Sequence, residues 1–134
     1  MSDFATKDLP SAPDAIAPDG SHVRMLLGLH SGGLAHFELR PGETSVAVSH
    51  RTVEEIWFVL GGRGEMWRKQ GDQEQIVPLN PGVTLTIPLG THFQFRSLND
   101  EALTAIAVTM PPWPGEGEAF EVKGAWMPTV NRRR

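Results

Sequence analysis

The stretch Gly42–Gly62, GETSVAVSHRTVEEIWFVLGG, decides the fold. Five residues separate Gly42 from Val48, His50 follows, four residues lead to Glu55, and six more lead to Gly62. In a strand alternate residues share a face, so Glu55, Trp57 and Val59 lie on one side and Glu54, Ile56, Phe58 and Leu60 on the other. The spacing also brings His50 toward Glu55 across the intervening turn. A second stretch, Gly82 to His92 (GVTLTIPLGTH), repeats this grammar: five residues after Gly82 comes Pro88, then Gly90, then His92. One strand pair thus offers a histidine and a carboxylate, and another offers a second histidine. Imidazole and carboxylate together hold a divalent transition metal while leaving coordination positions open.

Outward from these stretches the chain keeps one texture. Short apolar runs at Val23–Leu29, Leu34–Leu39, Ser45–Val48, Glu55–Leu60, Gly64–Arg68, Gln75–Leu79, Thr84–Ile87, Phe93–Arg96 and Leu103–Thr109 read as strands. Turn chemistry separates them: Ser31-Gly32-Gly33, Arg40-Pro41-Gly42, Gly61-Gly62, Gln70-Gly71-Asp72 and Asn80-Pro81-Gly82. Regular short strands with such turns predict an all-β sandwich or barrel, whose closure removes exposed edges and leaves a mouth for a ligand. Residues 1–21, with Pro10, Pro13 and Pro18, read as an extended or disordered arm. The barrel occupies 22–110. Residues 111–134 form a Pro- and Trp-rich extension whose anchors Trp113, Phe120 and Trp126 pack on the barrel or on a second subunit.

Composition narrows the function classes. A chain of 134 residues makes one domain. Twelve Lys and Arg against 16 Asp and Glu give a net charge of −4, so no broad basic field exists for nucleic acid. Arg132-Arg133-Arg134 reads as a frayed tail. No cysteine is present, which excludes disulfides, thiolate metal sites and a cysteine nucleophile. No signal sequence or long apolar run is seen, so no membrane partner and a cytoplasmic location are expected. Neither a serine nucleophile elbow nor a phosphate-binding loop is found.

The two glycine-bounded stretches give the chain a clear likeness: it resembles a small single-domain cupin over about residues 33–110. The first family motif is matched at every spacing, with Val48 in place of its first histidine. The second is matched from Gly82 through Pro88 and Gly90, but only Thr91 stands between Gly90 and His92, and no asparagine follows four residues later. The resemblance implies a double-stranded β-helix, or jelly-roll barrel. It also points Glu55 inward, with Trp57 in the cavity wall and Glu54 left to solvent. A metal held by His50, Glu55 and His92 is then implied, with Fe, Mn, Ni and Zn equally suited.

Register leaves His92 open. Period two places His92, Gln94 and Arg96 on one face and Phe93 and Phe95 on the other. With the apolar face inside, Phe93 takes the ligand position; with the preceding turn shortened, His92 swings in. His36, on a strand alternating with Ala35, Phe37 and Leu39, either supplements the pocket or stays on the surface. His22 and His30 read as surface residues. The candidate pocket is His36, Trp57, Met66, Phe93 and Phe95. Two functions compete: binding of a small molecule in the barrel mouth by a homodimeric protein, with or without the metal, and metal-dependent catalysis of dioxygenase, isomerase or lyase type.

Overall fold

The computed structural model describes residues 3–98 and 100–130; the terminal arginine run lies outside them. The described residues form eleven strands and no helix: β1 (Ala15–Ile16), β2 (His22–Leu29), β3 (Gly32–Leu39), β4 (Val48–His50), β5 (Glu54–Gly61), β6 (Gly64–Gln70), β7 (Gln73–Leu79), β8 (Thr84–Ile87), β9 (His92–Ser97), β10 (Leu103–Met110) and β11 (Ala119–Glu121). They pair antiparallel in two sheets, β1-β2-β3-β10-β5-β8 and β11-β4-β9-β6-β7. Face to face, these make the jelly-roll barrel.

Alternation along the central strands builds the core. In β5, Glu55, Trp57 and Val59 are buried while Glu54, Ile56, Phe58 and Leu60 are exposed. In β10 the inward set is Leu103 followed by the smaller Ala105, Ala107 and Thr109 toward the mouth. Ala107 lies between Ala35 and Trp57 in the ladder, and Thr109 between Gly33 and Glu55. Small residues on two adjacent strands thus leave space at one end of the barrel. The other sheet fills the deeper interior with Met66, Leu79, Phe93 and Phe95. Each large apolar side chain so buried contributes roughly 1.5–3 kcal/mol.

The expected strand at Ser45–Val48 is displaced to Val48–His50. The backbone before it serves two partners instead of one ladder: Ser45 N donates to the Phe95 carbonyl, and Val46 N to the Asp19 carbonyl. The N-terminal arm is laid along the barrel. Arg24 donates to the carbonyls of Pro10 and Ser11 and pairs with Glu38 at 2.9 Å, while β1 adds to the sheet edge.

The C-terminal extension wraps its own barrel. β11 pairs with β4, and the chain then crosses the outer face of β9. Gln94, fully buried, holds it there. Its Nε2 donates to the carbonyls of Ser45 and Trp126, and its Oε1 accepts from the backbone N–H of Ala125 and Trp126. The Arg96 guanidinium lies 4.2 Å from the Trp126 ring centroid. Val130 ends the wrap against Gly20, where φ is +92° and a Cβ would collide with the valine. The N-terminal arm and the C-terminal extension are therefore locked together beside the mouth.

Candidate functional site

The mouth encloses a cavity of about 660 Å³. Its walls come from Val23 and Met25 of β2, Ala35 and Phe37 of β3, Val48 and His50 of β4, Glu55 and Trp57 of β5, Phe93 of β9 and Thr109 of β10. Ala15–Gly20 and the extension from Trp113 complete it.

Aromatic contacts order these walls. Trp57 stacks on Phe37 with centroids 5.2 Å apart and planes within 3°, and meets Phe95 edge-on at 5.1 Å. His50 meets Phe93 edge-on at 5.3 Å and Trp113 at 5.0 Å. A buried indole N–H needs an acceptor. Trp57 Nε1 donates to Glu55 Oε1 at 2.8 Å, a bond between same-face neighbours of one strand.

The polar content is acidic. Burial pushes the Glu55 carboxyl up to about 7; the Trp57 hydrogen bond opposes this and the charge of Asp19 adds to it. Burial also raises Asp19, although its Oδ1 accepts from both Ser21 N and Ser21 Oγ. Burial lowers the His50 imidazole, partly offset by Glu118 and by a backbone interaction with Val53. Burial of Glu118 is outweighed by hydrogen bonds from Thr52 and from the Val53 N–H, which hold it below its ordinary value. His50 Nδ1 is buried without a hydrogen-bond partner among the described residues. No lysine or arginine among those residues lines the cavity.

Of the residues singled out from sequence, His50, Glu55, Trp57 and Phe93 line the cavity together. Met66 and Phe95 lie in the core rather than in the cavity lining. His92 does not join His50 and Glu55: it starts β9 opposite Lys69, on the outer face with Gln94 and Arg96. The cause is the turn before it. Thr91 N donates to the Pro88 carbonyl, with Gly90 at φ +82°, so the strand begins at His92 and Phe93 is the first inward residue. The opposite register would turn His92, Gln94 and Arg96 into the barrel in place of two phenylalanines. His36 also lies outside the pocket. Its neighbours Ala35 and Phe37 point in, while His36 faces Arg24 on the other side, with burial and that guanidinium lowering its pKa.

Sequence reasoning missed Asp19, Thr109 and Glu118, and gave Trp113 only as a packing anchor of the extension. Pro18-Asp19-Gly20-Ser21 did carry a signal, since an aspartate two residues before a serine in such a run is an Asx-turn signature. For Trp113 and Glu118, in a Pro- and Gly-rich segment, no local period existed to read.

The donor set does not fit the metal that the fold implies. Val48 and Phe93 are direct partners across β4 and β9, so a valine and a phenylalanine face each other where the motifs place imidazoles. Among the described residues, no three His, Asp or Glu side chains are grouped to hold a metal ion.

Comparison with known proteins settles the family. The family model of the cupin domain (Cupin_2) matches residues 35–109. The chain is a cupin. An uncharacterized protein of Methanocaldococcus jannaschii is 30% identical over 106 residues, covering 75% of this chain and 82% of the relative. Among solved structures, the capsular polysaccharide assembling protein CapF of Staphylococcus aureus superposes with a TM-score of 0.70 at 17% identity, over 81% of this cupin and 33% of CapF. Bacillus subtilis oxalate decarboxylase, described with Mn(II) centres, gives 0.69 at 14% identity over 84% of this chain and 30% of its own. The cupin thus spans about a third of either neighbour's length, and at these identities the likeness is one of fold.

Proposed function

We propose that this cupin binds a small, largely apolar or aromatic molecule in its barrel mouth, held by packing and by a few polar contacts rather than through a metal. The observation that carries this reading is the ring- and aliphatic-lined cavity of about 660 Å³, a size typical of small-molecule sites. Val48 and Phe93 support it further, because they add apolar wall where ligand atoms of a metal would otherwise stand. Of the three residues a metal would need, only His50 and Glu55 line the cavity.

Titration with a panel of small aromatic compounds, followed by tryptophan emission against a Trp57→Phe control, tests the reading. Ala35→Leu, which fills the cavity, should abolish binding without unfolding the barrel. Silence across the panel, or binding unaffected by Ala35→Leu, would refute it.

We also propose a homodimer formed through the outer face of the six-stranded sheet. Ile56, Phe58 and Leu60 are exposed in a row there, each 44–45% accessible. Ile106 pairs with Phe58 and Val108 with Ile56, extending the row sideways into an apolar patch. A two-fold axis would place such a patch against itself.

A further inference from the structure

We infer that the mouth of this cupin is selective for a cation: a small ammonium compound carrying an aromatic or apolar body. The inference rests on the binding reading above and specifies its ligand class.

Three independent features of the cavity point the same way. The first is charge. Asp19 and Glu55, 6% and 3% exposed, both line the cavity, while no lysine or arginine among the described residues does. A carboxylate or phosphate ligand would meet two buried acids and no counter-charge among the described residues, whereas an ammonium would supply a cation. The second is ring content. Phe37, Trp57, Phe93 and Trp113 line the same space, and aromatic faces attract cations most strongly where water is excluded. The third is His50. It is 7% exposed, lines the cavity, and its buried Nδ1 has no partner among the described residues. Burial favours its neutral form, so it adds no opposing charge and can exchange a hydrogen bond with an N–H or O–H group on the ligand.

The physical division of labour follows. The rings and aliphatic walls take the body of the ligand. Asp19 takes its charge from the N-terminal side of the mouth, fixed by its two bonds from Ser21. Glu55 does so from β5, fixed by Trp57.

Three probes of nearly equal shape and different charge test the inference: phenethylamine, phenethyl alcohol and phenylacetate, titrated at neutral pH by calorimetry. The amine should bind about tenfold or more tighter than the alcohol, and phenylacetate should bind weakest. Asp19→Asn keeps an acceptor for Ser21 and should weaken the amine about tenfold more than the alcohol. Trp113→Leu, outside the sheets, should weaken the amine several-fold more than the alcohol. Equal or tighter binding of the alcohol or the acid would overturn the inference and leave the cavity as a binding site. Equal losses for amine and alcohol in both variants would also overturn it. Failure of all three probes to bind would overturn it too; binding of other panel compounds would then show whether the cavity reading survives.

Discussion

Replacing Glu55 by glutamine tests the electrostatic state of the mouth without changing its shape. The amide oxygen still accepts the Trp57 Nε1–H that Glu55 Oε1 accepts at 2.8 Å. What disappears is a buried ionisable group whose pKa rises from 4.5 to about 7 on folding. Between those values the folded protein holds a proton that the unfolded chain has released. Its contribution is therefore present below pH 4.5 and is lost as pH rises to about 7. Each tenfold change in proton affinity corresponds to about 1.4 kcal/mol, so the loss is on the order of 3 kcal/mol. Glu55 is only 3% exposed, so solvent screening removes little of it. Glu55→Gln should match the parent near pH 4 and exceed it by about 3 kcal/mol at pH 8, read from urea unfolding across that range. Asp19, whose pKa is also raised, adds a loss of the same sign, and Glu118, whose pKa is lowered, adds one of opposite sign. Both persist in the variant, so the difference curve reports Glu55 and its coupling to Asp19. A difference that does not vary with pH, or a variant less stable at pH 8, would refute the reasoning.

Val48→His with Phe93→His should restore the family donor pattern beside His50 and Glu55. Metal analysis after loading with Mn(II), Fe(II), Ni(II) or Zn(II) should then give about one equivalent, against less than about a tenth for the parent. Gln94→Leu should cost roughly 3 kcal/mol by leaving buried backbone groups unpaired, and should expose residues 111–130 to limited proteolysis before the barrel unfolds. Phe58→Asp on the outer face of β5 should convert a dimer to a monomer by light scattering, with an unchanged circular dichroism spectrum; an unchanged mass would place the interface elsewhere.

The barrel was legible because its strands are short, alternating and punctuated. Each of the nine runs read from the sequence has a counterpart among the strands, since burial on one face fixes the side-chain period whatever the neighbours are. The two added strands, β1 and β11, arise where proline-rich ends meet open sheet edges, a tertiary event without a local period. The site divides in the same way. Glu55 and Trp57 follow from the alternation of β5, and the inward face of β9 follows from Phe93 and Phe95. Asp19 and Trp113 come from the N-terminal arm and the C-terminal extension: the Asp19 carbonyl accepts from Val46 N, and Trp113 follows shortly after β10.

Val48 and Phe93, the two departures from the motifs, form one structural unit. They are paired directly across β4 and β9, so a metal ligand restored at one would face an apolar side chain at the other. Phe93 instead supplies the edge contact to His50, and the extension brings Trp113 to the same imidazole. The histidine that survives from the motif is thus framed by rings, with a buried nitrogen that no described residue pairs. Glu55 is likewise tied to an indole rather than aimed at a shared centre with a second imidazole. Together these contacts put packing surfaces where the family motifs place ligands, and on the proposed reading the remaining carboxylates act by charge. That is the arrangement a cationic aromatic guest would stabilise, because it brings counter-charge to two buried acids beside which no lysine or arginine among the described residues lines the cavity.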